Sequence, residues 1–326
     1  MSLPPIIVHA AKSVWHWQWN QLMNGLAPSD KDGNYLRPIS QKLNAIVPSK
    51  EDINQRSSEQ LPRLIVGRSC PWAHRTWLVY KLRNLDNSLK LLIAKADHNE
   101  GLWKIDPSWM GCKSLIDIYK LCATPPHHRA TVPALVDPGG SNNKRPQLLG
   151  NESAQLVEAL NKWPSQNIVP NLYPKELEKE INEWQNLLQY SVNNGVYRCG
   201  FARNQAAYNN ASDELFDALN KLDQHLSYKG PWICGDSLTI ADIRLFPTLV
   251  RWEAIYSPLF GCSKEPLWAF PNLCNWRKRF FYLPEVAETC DINAWRNDYF
   301  GALFPLRPNN IIPNGPDLAK IINGET

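Results

Sequence analysis

No apolar run in this chain approaches the roughly 18 residues that a membrane-spanning helix requires, which leaves no footing for an integral helical membrane protein. Charge of one sign is equally scarce. A net charge of +4 over 326 residues, with no basic cluster, argues against nucleic acid or a membrane surface as a partner. There is no Cys-x-x-Cys pair. The cysteines stand at 70, 112, 122, 199, 234, 262, 274 and 290, neither dense nor regularly spaced. A disulfide framework and a structural zinc site are therefore not expected, no metal is called for, and free thiols in a reducing cytoplasm fit the pattern. Residues 1–11 are apolar but lack a basic lead-in and a cleavage site, so no signal peptide is read there. Internal repeats and low-complexity tracts are absent as well.

What is present fits a folded protein of two domains. Hydrophobic residues make up 44% and charged residues 20%, an ordinary balance, while the 14 tryptophans call for extensive aromatic burial. Residues 1–60 read as an irregular extension that docks on the body through Trp15, Trp17 and Trp19, because exposed tryptophan is costly. Residues 61–165 read as an α/β domain. Leu64–Val66 is a short buried-strand pattern, Cys70-Pro71 opens a helix, and Leu91–Ala94 is a second strand. An irregular stretch follows. Thr131–Val136 is a third strand, Gln147–Leu149 a fourth, antiparallel across a Gly139-Gly140 turn, and Asn151-Glu152-Ser153 starts another helix. Strand, helix, strand, then strand, strand, helix is the order of a thioredoxin-like domain.

From residue 166 to 326 strand signals vanish and helical periodicity takes over. Leu215, Phe216, Leu219, Leu222 and Leu226 share one helix face. Thr239 with Asp242 three residues on forms a capping box, and the helix it starts is expected to run on past Pro247 with a kink. Pro271–Phe280 reads as a further helix, and the proline-rich stretch 307–316 as a tail ordered by packing.

Chemistry concentrates at Cys70. A cysteine at a helix N-terminus meets unpaired N–H groups and the positive end of the helix dipole, both of which favour the thiolate. His74 and Arg75 stand close enough in sequence to add positive charge. A dithiol redox motif carries a second cysteine three residues on, but Ala73 occupies that place. Cys70 is thus expected to form a mixed disulfide with a small external thiol, resolved by a second thiol molecule. The alternative is a buried structural cysteine. Val132-Pro133 before a strand suits an extended peptide ligand, with the proline cis and the preceding backbone pairing like an added strand. Glu152 and Ser153 at a helix start suit an ammonium and a carboxylate, although a plain N-cap would look the same.

These segments resemble the glutathionyl-hydroquinone reductases, the Xi class of the glutathione transferases. The resemblance is carried by Ser69–Arg75, by Arg129–Pro133 and Asn151–Ser153, by Val192–Tyr197 with Gly200-Phe201, by Leu238–Val250, by Pro284–Ala287 and by residues 309–316, and it runs from about Gly33 to Pro316. It implies an N-terminal thioredoxin-like α/β domain followed by an all-α C-terminal domain, the glutathione transferase fold. It further implies Cys70 as nucleophile and Val132, Pro133, Glu152 and Ser153 as the glutathione site. Trp103 would lie over the ligand and Arg129, with Lys113 behind it, would meet the glycyl carboxylate. Tyr197 and Tyr299 would line a hydroquinone pocket between the domains. Glutathione as co-substrate, glutathionylated hydroquinones as substrates and a homodimer follow as expectations. Two other activities use the same features: reduction of dehydroascorbate or of glutathionyl-proteins, which needs Cys70 but not the tyrosines, and a binding module without catalysis.

Overall fold

The computed structural model describes residues 3–37, 45–125, 129–139, 145–165, 169–303 and 311–325. The chain opens with α1 (Pro5–Leu26) and α2 (Lys50–Asn54), then alternates β1 (Arg63–Gly67), α3 (Pro71–Leu82), β2 (Lys90–Asp97), β3 (Leu102–Trp109), β4 (Cys112–Ser114), α4 (Leu115–Leu121), β5 (Ala134–Asp137), β6 (Gln147–Gly150) and α5 (Ser153–Asn161). The strands form one sheet in the order β4-β3-β2-β1-β5-β6. Only β1 and β2 run parallel, joined by the α3 crossover; the other neighbours are antiparallel. Leu64, Ile65 and Val66 of β1 and Ala134, Leu135 and Val136 of β5 are wholly buried, as central strands covered on both faces must be.

The helical part contains α6 (Glu178–Leu188), α7 (Gly195–Gly200), α8 (Gln205–Lys229), α9 (Ile240–Leu249), α10 (Ser257–Phe260), α11 (Pro271–Phe281), α12 (Ile292–Asp298) and α13 (Leu318–Asn323). Helix α3 packs against β1 and α5 of its own domain and against α9 of the helical part, so α3 lies where the two parts meet. The Thr239–Asp242 capping box forms as expected. Asp242 is fully buried and its carboxylate accepts from the N–H of Ile233 and the indole of Trp276 on one oxygen, and from the N–H and hydroxyl of Thr239 on the other.

Three expectations need correction. The N-terminal extension is not irregular throughout: Pro5 at the first turn and the Ala10-Ala11 pair support a 22-residue helix over Pro5–Leu26. Nor do its tryptophans dock together. Trp15 and Trp17 are 56% and 63% exposed, and only Trp19 reaches the body, under the guanidinium of Arg203. The stretch between the second and third strands is structured too, as a β3–β4 hairpin and α4. Lys104, Asp106, Pro107 and Ser108 leave no apolar run there, because β3 carries an exposed, bulged pairing to the edge strand β4. Helix α9 stops at Leu249, two residues past Pro247, and a π turn (Trp252–Tyr256) follows; the proline withholds one ladder N–H. Gly140 of the anticipated turn and residues 307–310 of the tail lie outside the described residues, while 311–317 run without regular structure into α13.

Candidate active site

Cys70 is the N-cap of α3. Its half-buried sulfur accepts a hydrogen bond from the Ala73 N–H (3.5 Å) and its thiol donates to the Val132 carbonyl (3.6 Å). Val132 is buried and its peptide bond to Pro133 is cis. The helix-start effect is therefore present, yet burial outweighs it. Burial pushes the thiol up, and the N–H groups of Ala73 and Trp72 and the charges of Arg251 and Arg37 only offset part of that.

The charges that act on the sulfur are not those its sequence neighbours suggest. His74 is buried beside Arg251, and burial followed by that like charge holds it well below its usual range, so it stays neutral. Arg75 turns away, donating to the carbonyl of Arg244 (3.1 Å) and the amide oxygen of Gln189 (3.2 Å). Arg37 comes from the N-terminal segment instead. Its guanidinium lies 3.7 Å from the Trp72 ring centroid and donates to Asn194 (3.0 Å). That segment is pinned by Asn204 donating to the Asp32 carbonyl (2.9 Å) and by the Arg203 N–H donating to the Gly33 carbonyl (3.0 Å).

Opposite the sulfur, the helical part supplies three phenols. The hydroxyls of Tyr197 and Tyr299 are 2.6 Å apart, and Tyr256 lies 3.5 Å from the first and 3.4 Å from the second. Tyr256 ends one π turn and Tyr299 begins another (Tyr299–Leu303), while a third (Gln189–Asn193) leads into the helix of Tyr197. A π turn rotates side chains off the α-helical spacing, which is how three distant segments converge here. Burial raises all three phenols, and a charge at Cys70 would raise Tyr197 and Tyr256 further, so these hydroxyls are neutral donors close to the sulfur. The Trp72 ring, two residues from Cys70 in the chain, stacks near Tyr197 (6.0 Å between centroids).

Residues 69–163 match the family described as glutathione S-transferase, N-terminal domain, and residues 205–279 match glutathione S-transferase, C-terminal domain. The chain is 32% identical over 293 residues to the glutathionyl-hydroquinone reductase PcpF of Sphingobium chlorophenolicum, spanning 87% of this chain and 90% of that protein. The glutathione-bound structure of YqjG from Escherichia coli K-12 aligns with a TM-score of 0.70 at 32% identity, covering 79% of this chain and 86% of that one. The glutathione transferase Xi of Phanerochaete chrysosporium aligns at 0.75 and 29% identity, covering 88% and 94%. The chain belongs to the glutathione transferase family, in its Xi class.

In this Xi-class transferase the other expected site residues are distributed unevenly. Glu152 is the N-cap of α5 but its side chain does not cap that helix; its charge acts on Arg75 and Arg244. Ser153 is buried at the first position of the same helix. The Trp103 ring crosses to β1 and covers Gly67, where a Cβ would overlap it, so it lies three residues before the nucleophile. Arg129 is exposed and its charge is felt at Tyr35. Lys113 sits exposed on β4 at the sheet edge, three strands from β1, and is not brought to Cys70. Sequence reasoning missed Arg37, Arg251 and Tyr256. Arg251 did carry a signal, a lone cation inside the apolar run Leu249-Val250-Arg251-Trp252.

Proposed function

We propose that this Xi-class transferase reduces glutathionyl-hydroquinones to hydroquinones at the expense of glutathione, through a Cys70–glutathione mixed disulfide. The observation that carries this reading is the pairing of a half-buried sulfur at the start of α3 with a cluster of three neutral phenols, two of which feel its charge. A peptide thiol donor would lie along Val132, with its α-carboxylate at Ser153 and its ammonium at Glu152. Engaging the Val132 carbonyl would take away the acceptor that now holds the thiol proton, which favours ionisation.

The Cys70 thiolate then attacks the glutathionyl sulfur. An S–S bond forms, the carbon–sulfur bond breaks, and its electron pair passes to the ring, which takes one proton at the released carbon. Whichever of Tyr197 and Tyr299 keeps its proton free of the other would donate to a ring oxygen as negative charge develops there. A second glutathione thiolate attacks the mixed disulfide, leaving glutathione disulfide and the free Cys70 thiol. Over the cycle one glutathione thiol and the thioether sulfur of the conjugate are joined as a disulfide while the ring carbon exchanges sulfur for hydrogen, so the cycle balances without a metal or another cofactor.

The test has two arms. Brief exposure to glutathione disulfide, followed by peptide mass spectrometry, should give one glutathione adduct mapped to Cys70. Turnover of glutathionyl-menadiol should then exceed that of dehydroascorbate and fall selectively in Tyr197→Phe. Equal losses on both substrates would argue against a hydroquinone-specific role, and full turnover in Cys70→Ser would remove the enzymatic reading altogether.

A further inference from the structure

Arg251 follows α9 and is 0% exposed. One terminal nitrogen donates to Nδ1 of His74 (2.9 Å) and to the Pro247 carbonyl (2.9 Å); the other donates to the Arg68 carbonyl (3.4 Å). The guanidinium lies 4.1 Å from the Trp295 ring centroid and its Nε has no acceptor. Among the described residues no carboxylate pairs with it. Arg277, also buried, shows the ordinary solution, an ion pair with Glu253 at 2.7 Å. A buried cation held only by neutral acceptors forfeits its hydration for little in return. Such an arrangement persists where the charge itself acts on something nearby.

Its orientation is over-determined. The Thr289 hydroxyl donates to the Val286 carbonyl (2.6 Å), so towards His74 it can only accept, from Nε2–H (2.7 Å). That fixes His74 as the neutral Nε2–H tautomer, assigned from the network, and leaves Nδ1 as the acceptor for Arg251. The chain Val286, Thr289, His74, Arg251 thus runs from the C-terminal segment through α3 to the end of α9, while the contact to the Arg68 carbonyl ties the same guanidinium to the turn before Cys70.

We infer that Arg251 is a positioning residue for the chemistry at Cys70, a fixed buried positive charge that favours the thiolate and the anion developing beside the tyrosines. The inference rests on the reading of Cys70 as nucleophile. The other groups around the sulfur do not replace it. Arg37 is exposed and therefore screened, His74 is neutral, Arg75 faces Gln189, and Tyr197, Tyr256 and Tyr299 are uncharged. Near the preceding turn Arg68 carries its own counter-charge in Asp291 (3.6 Å), and Asp298, held by Ser69 and the His98 ring (3.2 Å), is an acid that cannot stand in for a cation. A buried charge is screened least of all.

The experiment is iodoacetamide labelling of the full chain between pH 6 and 10, with the Cys70 peptide quantified by mass spectrometry and folding followed by thermal melting. Arg251→Met should slow Cys70 labelling about tenfold near neutrality and displace its rise by about one pH unit. Arg251→Lys should restore most of the loss. A folded Arg251→Met protein with an unshifted labelling profile overturns the inference. If Arg251→Met does not fold, the His74 pair decides. His74→Gln keeps an acceptor for the guanidinium and should lose clearly less labelling rate than His74→Leu, and equal rates in the two overturn the inference. A wild-type Cys70 that neither labels nor forms the glutathione adduct would instead remove the nucleophile itself, and this inference with it.

Discussion

The hydroxyl of Tyr197 on α7 and that of Tyr299, 102 residues further along the chain, meet at 2.6 Å. One of the two must donate, so the pair presents a single free proton to the cleft, and Tyr256 at 3.4 to 3.5 Å supplies the alternative partner. Tyr197→Phe removes the shared bond while leaving the ring stack on Trp72. It should lower single-turnover reduction of glutathionyl-menadiol by about 10²-fold with Cys70 labelling unchanged. A parallel fall in labelling would assign the loss to a disturbed nucleophile.

Cys70 labelling should climb with pH through neutrality rather than plateau. Burial raises this thiol above its ordinary value, so the thiol form dominates at neutral pH and the thiolate grows as pH rises through the raised value. By linkage the stability due to the neutral, buried thiol is complete below the unfolded value of about 8.5 and is lost as pH rises through the folded one. Cys70→Ser should therefore flatten part of the alkaline decline in melting temperature. A labelling profile already level at pH 6 would contradict the direction of the shift.

Asp242→Ala should cost on the order of 3 kcal/mol or more in urea unfolding. It strands the N–H groups of Ile233 and Thr239 and the indole of Trp276 inside the helical core, and each unsatisfied buried donor is worth about 1–3 kcal/mol. A loss below about 1 kcal/mol would mean that water reaches these donors.

Gly195 and Gly200 open and close the same short helix but should respond oppositely to alanine. A Cβ at Gly195 would meet Leu215 at an ordinary 3.5 Å, and Gly195→Ala should be neutral or stabilise by up to about 1 kcal/mol. A Cβ at Gly200 would overlap the ring of Phe260, which packs under Tyr197, and overpacking typically costs about 1–3 kcal/mol. Gly200→Ala should also disturb the phenol cluster, read as reduced hydroquinone turnover. Equal melting temperatures for the two variants would refute the contrast.

Glu152 opens α5 without capping it, and its negative charge is felt at Arg75 and Arg244. If it holds the glutathione ammonium, Glu152→Gln should raise the KM for glutathione about tenfold, the value of roughly 1.4 kcal/mol for one charge-assisted contact. Its kcat should change little. An unchanged KM would return Glu152 to a structural role.

The features legible in the sequence were those set by near neighbours. The β1–turn–α3 unit with Cys70 at its head, the Thr239–Asp242 box and the helix that begins at Pro271 each depend on residues a few positions apart, where strand pattern, proline and capping chemistry act directly. The β3–β4 hairpin was not legible, because an edge pairing with Asp106 and Pro107 exposed has no buried pattern to display. The sequence by itself determined that one sulfur would stand unaccompanied at a helix start. Only the tertiary structure decided what surrounds it. Arg37, Arg251 and three tyrosines reach the site from segments far apart in the chain, and burial there reverses the expected ionisation of the thiol and keeps His74 neutral. Desolvation and through-space charge depend on the packed whole and not on spacing along the chain.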